Sequence, residues 1–226
     1  MRVSVCIPTY GMRDVGWYYL QKNLSSIFMQ HVHPYEVVIS DHSTDDAVKN
    51  VAESWKRYLN IEYFRNTDNV GVISSNLNNC IDKSTGDVID FMLQDDYYVD
   101  PTSLQRRVDN LGDKQWGLSS TIHYSSEKNQ FYWHLVPAYR PDIYLGFNSI
   151  GSPSLLTMRR ENAPRFDDRL FMLTDCDYFK QLHDKFGMPP VTNSITVVTC
   201  MWEGQSQNAV SETKKQAEID IVKSKY

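Results

Sequence analysis

The chain has 226 residues, of which 41% are hydrophobic and 23% are charged. This composition is that of an ordinary globular protein, and the length is enough for one well-buried domain. The formal net charge of -5 argues against a nucleic-acid-binding surface, which normally carries a basic excess. No apolar run reaches the ~20 residues of a membrane span, so we expect no transmembrane segment.

The four cysteines show no metal-ligand spacing, which argues against a zinc site. Cys6 and Cys200 lie in apolar runs and are predicted to be buried thiols. Scattered cysteines in a chain of this size are typical of a reducing compartment, so we expect a cytoplasmic protein. The first residues are predicted to form a strand rather than a signal peptide.

Strands and helices alternate in the first half of the chain. The predicted strands are residues 3–7, 35–40, 61–64 and 88–93, and the predicted helices are residues 14–30, a segment ending near 59, and residues 70–83. Pro8 is expected to end the first strand, and Asp14 to cap the first helix. This alternation implies a mostly parallel sheet with right-handed crossovers.

The second half is less regular. It contains predicted helices at residues 101–112 and 175–186, predicted strands at 116–124, 130–136, 154–158 and 191–201, and a predicted solvated helix after residue 211. The aromatic residues Tyr132, Trp133, Tyr139, Tyr144 and Phe147 are expected in the core, with a sugar-stacking or dimer surface as alternatives. The predicted fold class is α/β, a Rossmann-type sandwich with a mostly parallel central sheet flanked by helices.

Two adjacent acids, Asp95 and Asp96, follow the apolar strand at residues 88–93. Ligands of open α/β sheets bind outside the carboxyl ends of the strands, where Thr9 and Asp41 are also placed. Adjacent carboxylates repel each other unless a cation or a proton neutralises one of them. Because hard cations with phosphate ligands are held by one or two carboxylates, we predict a metal–diphosphate site with Asp96 facing solvent. A solvated polar turn is the alternative, since surface acid pairs are common.

Several segments in the same order resemble family 2 glycosyltransferases of GT-A fold. Residues 3–10 (VSVCIPTY) and 36–46 (EVVISDHSTDD) resemble the opening of that family. Further matches are residues 69–71 (NVG), Asn76 and residues 85–89 (TGDVI). Residues 94–96 (QDD) stand at the position of the family's DxD-type metal motif. Residues 166–170 (FDDRL) and 174–177 (TDCD) resemble the later segment in which the family carries its catalytic acid.

The resemblance implies an inverting enzyme with a divalent cation, Mn²⁺ or Mg²⁺, and a nucleotide-diphosphate sugar as donor, with a UDP-sugar favoured. The acceptor would be a glycan or another hydroxyl compound. Carried over by position, the resemblance assigns the nucleotide to five residues: Pro8, Thr9 and Tyr10 would border the base, Asp41 would contact the base or ribose, and Asp95 would face the ribose or diphosphate. Asp96 would ligate the metal. Asp175 would be the general base. The loop at residues 202–206 lies where the family closes a flexible loop over the donor, with a plain surface loop as the alternative.

The chain departs from the family pattern at several positions. Gln94 stands where the metal motif has its first acid, and His42, expected to be structural or at the surface, stands in the acidic motif after the second strand. Where the family commonly has the sequence alanine–arginine–asparagine, this chain has Ser74, Ser75 and Asn76. Thr174 replaces the acid that precedes the catalytic aspartate, which leaves Asp177 as a competitor of Asp175 for the role of base.

One GT-A-like domain is expected over residues 1–226, with a nucleotide-sugar-binding half at 1–100, an acceptor-side half at 101–210 and a polar tail at 211–226. A sugar nucleotidyltransferase is a rival function, but it would need a richer basic glycine loop than Gly11-Met12-Arg13. A donor- or glycan-binding module with a decayed site is the second rival. Homo-oligomer formation is left open.

Overall fold

The computed structural model describes residues 1–205 and 211–226. The strands are β1 (Val3–Thr9), β2 (Glu36–Asp41), β3 (Ile61–Arg65), β4 (Val88–Phe91), β5 (Tyr97–Tyr98), β6 (Trp116–Ser125), β7 (Gln130–Leu135), β8 (Leu156–Arg159) and β9 (Val191–Met201). The helices are α1 (Gly16–Phe28), α2 (Ala47–Trp55), α3 (Ile73–Lys83), α4 (Ser103–Leu111), α5 (Thr174–Phe186) and α6 (Glu212–Lys223), with 3₁₀ turns at Ile143–Leu145 and Pro153–Leu155.

All the described strands join one sheet, in the order β3-β2-β1-β4-β8-β6-β9-β5, and β7 pairs with β6 beside this path. Strands β1 to β4 run parallel, β8 is antiparallel to both β4 and β6, and β9 is parallel to β6. The prediction of a mostly parallel α/β sheet is therefore confirmed. Because β1 and β4 are neighbours at the centre, the loops that follow them open at the same edge of the sheet.

Alternating residues of β1 enter two different cores. Val5 and Ile7 pack with Leu20 and Leu24 of α1, whereas Cys6 faces the opposite core with Leu77 of α3. This period of two is what a strand covered by helices on both faces requires. The buried state predicted for the thiols of Cys6 and Cys200 is also confirmed.

Several local predictions were wrong. Pro8 does not end β1, since it lies within the strand opposite Ser40 in the parallel ladder. Asp14 does not cap α1: it has a φ of 70°, and Val15 occupies the N-cap position without a side-chain bond. The tail helix α6 is not solvated on all sides, because Val222 is fully buried against Leu170 and Leu173.

The aromatic residues of the middle region are not a core group. Tyr132, Trp133 and Phe147 are each more than half exposed, at 52%, 53% and 58%. Tyr139 instead stacks on His183 with ring centroids 3.9 Å apart. The expected core placement was wrong for Tyr132 and Trp133, because β7 pairs only with β6 among the described strands and both of its faces remain open. It was also wrong for the exposed Phe147, whereas Tyr139 and Tyr144 are partly buried and pack against core clusters. Within the described residues, no helix is long and apolar enough to cross a membrane.

Candidate active site

A cavity of about 760 Å³ opens where β1, β2 and β4 end. Residues from α5 and α6 complete its wall. Of the site residues predicted from the sequence, those that line the cavity are Pro8, Thr9, Tyr10, Asp95 and Asp175. The lining in the described part of the chain does not include Asp41 or Asp96.

Asp41 lies behind the cavity wall and is completely buried. Its Oδ1 accepts hydrogen bonds from Thr9 Oγ1 at 3.1 Å and from the backbone N–H and hydroxyl of Ser43 at 2.9 and 2.6 Å. Its Oδ2 accepts a bond from the Tyr63 hydroxyl at 2.6 Å, and Arg65 Nε lies 3.5 Å away. Asp41 therefore acts on the cavity by fixing the loop that follows β2.

The two adjacent acids point in different directions. Asp95 lines the cavity, and its Oδ2 accepts a hydrogen bond from Trp202 Nε1 at 3.0 Å. Asp96 is only 2% exposed, so the expectation that it faces solvent was wrong. Its Oδ1 accepts a bond from the Cys200 N–H at 3.0 Å, and its Oδ2 accepts one from the Ser152 hydroxyl at 3.3 Å. Asp96 thus fastens β9 and the loop before β8 beneath the cavity floor.

Burial shifts the titration of both acids in the same direction. Removal from water raises the pKa of Asp95, although the Trp202 N–H opposes the shift by stabilising the carboxylate. Burial raises the pKa of Asp96 well above its usual range, and the neighbouring charge of Asp95 adds to this effect. In both residues, therefore, burial disfavours the charged form of the carboxyl group.

Gln94 braces the loop after β1 against the start of α1. Its Oε1 accepts a hydrogen bond from the Tyr10 N–H at 2.9 Å, and its Nε2 donates to the Gly16 carbonyl at 2.8 Å. A Cβ atom on Gly16 would lie 2.3 Å from the Tyr10 carbonyl oxygen, so only glycine fits there. The side-chain amide of Gln94 provides both an acceptor for Tyr10 and a donor for Gly16, whereas an ionised carboxylate could only accept.

Asp175 lies in the first turn of α5 and lines the cavity. Its carboxylate accepts no hydrogen bond from the described residues, and burial raises its pKa to about 7. Asp177, its competitor, is completely buried and binds Lys225 Nζ at 2.9 Å and the Tyr226 hydroxyl at 2.9 Å. The structure therefore places Asp175 in the cavity and engages the buried Asp177 in an ion pair with the partly exposed Lys225.

Thr174 has a local structural role in this turn. It is 1% exposed, and its hydroxyl donates to the carbonyl oxygen of Leu170 at 2.9 Å. This contact closes the loop that leads into α5. Because position 174 carries a buried threonine rather than an acid, Asp175 is the carboxylate of α5 that lines the cavity.

Some cavity residues were not identified from the sequence. His42 lines the wall, is 7% exposed, and lies 2.9 Å from Asn66 Nδ2 through its Nε2 atom. Burial lowers the pKa of this histidine, which favours the neutral ring. Arg13 and Lys215 are the basic residues of the lining in the described part of the chain. Lys215 comes from the tail, which carried no sequence signal for a site.

The loop after β1 adopts an unusual backbone. Met12, Arg13 and Asp14 have φ angles of 49°, 53° and 70°, although none is a glycine. Consecutive left-handed residues of this kind are costly and persist where surrounding structure enforces them. Here the cavity lining contains all three residues. The predicted closing loop at 202–206 is described as far as Gln205, which also lines the cavity, and residue 206 lies outside the described residues.

The donor set fits a cation held mainly by a ligand's phosphates. No group of three histidine, cysteine, aspartate or glutamate side chains in the described residues could hold a metal ion alone. One carboxylate at the end of β4, that of Asp95, faces the cavity, and a Mg²⁺-like ion needs only one or two carboxylates when phosphates and water complete its shell. The site thus fits a cation that arrives with a diphosphate.

The sequence and fold were compared with known proteins. The model of the family "Glycosyl transferase family 2" matches residues 4–182. The GalNAc(5)-diNAcBac-PP-undecaprenol beta-1,3-glucosyltransferase of Campylobacter jejuni is 28% identical over 96 residues, which are 42% of this chain and 30% of that protein. The chain therefore spans less than a third of the length of that curated relative.

Two solved structures share the fold over most of the chain. S. aureus TarS 1-349 in complex with UDP-GlcNAc has a TM-score of 0.74 at 18% identity, covering 98% of this chain and 66% of that one. The mannosyltransferase PcManGT from Pyrobaculum calidifontis, in complex with GDP-Man and Mn²⁺, has a TM-score of 0.62 at 18% identity, covering 88% and 56%.

The mostly parallel sheet with a cavity at its strand ends is the architecture of a GT-A glycosyltransferase domain. Because the family model spans most of the sequence, the assignment can be made at the level of the family. The chain belongs to glycosyl transferase family 2.

Proposed function

We propose that this chain is an inverting glycosyltransferase that moves a sugar from a nucleotide-diphosphate donor to a hydroxyl acceptor. The observation that carries the proposal is the position of Asp175. Its carboxylate lacks a hydrogen-bond partner in the described residues and shares one cavity with Thr9, Tyr10 and Asp95. A general base works best when its pKa lies near the working pH, and burial brings that of Asp175 to about 7.

In the proposed reaction, the acceptor oxygen attacks the anomeric carbon of the donor sugar. Its proton passes to the carboxylate of Asp175, and the bond between the anomeric carbon and the diphosphate oxygen breaks. The electron pair of that bond leaves with the nucleoside diphosphate. A single displacement of this kind inverts the configuration at the anomeric carbon.

The donor would occupy the wall formed by β1 and the loop after β2. Pro8, Thr9, Tyr10 and His42 offer a partly apolar surface for the base and ribose. A UDP-sugar is supported by the complex of UDP-GlcNAc with TarS, a protein of similar fold. Asp41 would influence the base indirectly, because its oxygens already bind Thr9, Ser43 and Tyr63.

The charge of the diphosphate would be met from two sides. Arg13 and Lys215 bring positive charge to the cavity wall. A divalent cation, Mn²⁺ or Mg²⁺, would bind at Asp95, while Asp96 keeps its contacts with Cys200 and Ser152 beneath the site. Such a cation would stabilise the charge that develops on the departing diphosphate.

The test is donor binding and turnover with a panel of UDP-, GDP- and other nucleotide sugars, each with and without Mn²⁺. Calorimetry would measure affinity, and release of nucleoside diphosphate would measure transfer or donor hydrolysis. We expect one donor class to bind in a Mn²⁺-dependent manner and to release nucleotide. Binding without any release would indicate a decayed binding module, and pyrophosphate release from a nucleoside triphosphate plus a sugar 1-phosphate would indicate a nucleotidyltransferase.

A further inference from the structure

Helix α6 contacts the segment that carries Asp175 at three consecutive residues. The Lys214 ammonium lies 4.3 Å from the ring centroid of Phe171. Glu218 Oε2 accepts hydrogen bonds from the backbone N–H groups of Met172 at 2.8 Å and Leu173 at 3.0 Å. All three contacted residues line the cavity. The helix therefore fixes the backbone immediately before α5.

The residues after α6 bind the same segment on both sides of Asp175. Lys225 Nζ lies 2.7 Å from Asp167 Oδ2 and 2.9 Å from each carboxylate oxygen of Asp177. The Tyr226 hydroxyl donates to Asp177 Oδ1 at 2.9 Å. A single ammonium thus ties the loop before α5 to the first turn of α5.

The position of Asp175 depends on the backbone that these contacts fix. The Asp175 carboxylate accepts no side-chain or backbone hydrogen bond from the described residues, so its position follows from the backbone of the first turn of α5. Glu218 is 2% exposed, and its contact with Met172 and Leu173 is shielded from water. Hydrogen bonds to a charged group are stronger than those between neutral groups, and shielding strengthens them further.

We propose that α6 and the residues that follow it form a clamp that positions Asp175, with Glu218 and Lys225 as positioning residues for glycosyl transfer. The proposal rests on the function proposed above, in which Asp175 is the general base. A misplacement of about 1 Å at a reacting group costs about 10²-fold in rate. Loss of the clamp therefore lowers the rate of the chemical step rather than the affinity for the donor.

The kinetic test compares Lys225→Met with Lys223→Met. Both variants lose one ammonium near the end of α6, but Lys223 is exposed, and no side-chain hydrogen bond or ion pair joins it to the Asp175 segment in the described residues. We expect Lys225→Met to lower kcat about 10- to 100-fold, with the donor KM within about twofold of the original chain. Lys225→Arg should restore most of the rate, and Lys223→Met should leave it unchanged. Equal kcat values for Lys225→Met and Lys223→Met would overturn the proposal.

A second test measures the clamp without turnover. Glu218→Ala removes the acceptor of the Met172 and Leu173 amides, whereas Glu218→Gln keeps one amide oxygen to accept them. Hydrogen exchange of these amides should accelerate in Glu218→Ala and stay slow in Glu218→Gln, and Lys225→Met should loosen the first turn of α5. Unchanged hydrogen exchange in both Glu218→Ala and Lys225→Met would refute the clamp. Absence of nucleotide release from the original chain would instead count against the proposed function alone, because the exchange measurement does not depend on turnover.

Discussion

The indole N–H of Trp202 donates a hydrogen bond to Oδ2 of Asp95 over 3.0 Å. This contact joins the segment after β9 to the end of β4, and the Trp202 ring packs on Tyr19 with centroids 5.5 Å apart. A Cβ atom on Gly204 would lie 1.9 Å from Trp202 Cζ3, so the ring occupies the space that any other side chain at that position would need. Trp202 therefore orients the carboxylate that we place beside the diphosphate.

Trp202→Phe tests this orientation, because it keeps an aromatic ring on Tyr19 and removes the N–H. A hydrogen bond to a charged group contributes about 1.5–3 kcal/mol, so we expect the Mn²⁺-dependent affinity for the donor to fall about 10- to 100-fold. Trp17→Phe is the control, since that tryptophan is 48% exposed and does not line the cavity. Calorimetric titration of both variants with donor and Mn²⁺ checks the prediction, and equal affinities would contradict it.

The adjacent acids give a second prediction. Asp95→Asn should abolish the dependence of donor affinity on Mn²⁺, because it removes the carboxylate that faces the cavity. Asp96→Asn should preserve that dependence, because both Asp96 oxygens bind Cys200 and Ser152 rather than the cavity. Donor titrations at several Mn²⁺ concentrations separate the two variants. A loss of metal dependence in Asp96→Asn alone would return the cation to Asp96, as expected from the sequence.

The sequence predicted the fold well because the signals were local. Apolar runs that alternate with amphipathic segments specify a parallel sheet, and the polar residues after β1, β2 and β4 predicted the edge at which the cavity lies. The direction of a side chain at a strand end, or in the loop after it, depends on the partners that the tertiary fold supplies, which for Asp41 are Thr9, Ser43 and Tyr63. For this reason the sequence could not show that Asp41 and Asp96 turn away from the cavity.

The contribution of the tail was not predictable from the sequence. Lys215 and Glu218 belong to a segment whose composition is that of a solvated helix, and no local pattern shows which distant backbone it will contact. Glu218 lies 45 residues from Leu173 along the chain, yet it accepts the bond from that residue's N–H. Long-range pairings of this kind depend on the tertiary fold. In contrast, Asp90 lies within the strand predicted at residues 88–93, and a carboxylate that such a strand buries needs a partner.

The partner of Asp90 gives a prediction about stability. Arg107 Nε donates to Asp90 Oδ1 at 2.8 Å, and both side chains are completely buried. Arg107→Met leaves the Asp90 charge buried without its cation, which costs about 3–5 kcal/mol. Arg106→Met is the matched control, because Arg106 pairs with Asp100 near the surface, and such pairs contribute about 0–1 kcal/mol. Urea unfolding should show a large loss of the free energy of unfolding for Arg107→Met only.

Asp175→Asn keeps the shape of the side chain and removes the base. We expect the transfer rate to fall about 10²- to 10⁴-fold, the range for a lost general base, with donor affinity nearly unchanged. Asp177→Asn should instead weaken the ion pair with Lys225 and lower the free energy of unfolding. Single-turnover assays and thermal unfolding of both variants distinguish these roles. Full activity in Asp175→Asn beside an inactive, stably folded Asp177→Asn would reverse the assignment.

The raised pKa of Asp175 gives the last prediction. Burial brings this pKa to about 7, and only the ionised carboxylate can accept the proton of the acceptor. We therefore expect kcat/KM to fall about tenfold per pH unit below pH 7, a slope that Asp175→Asn should lack. Because the folded chain binds this proton more tightly than the unfolded chain, the stabilisation from Asp175 is complete below about pH 4 and is lost as pH rises through 7. The free energy of unfolding, measured in urea at pH 4 to 8, should consequently decline more with pH in the original chain than in Asp175→Asn, and parallel curves would contradict the shift.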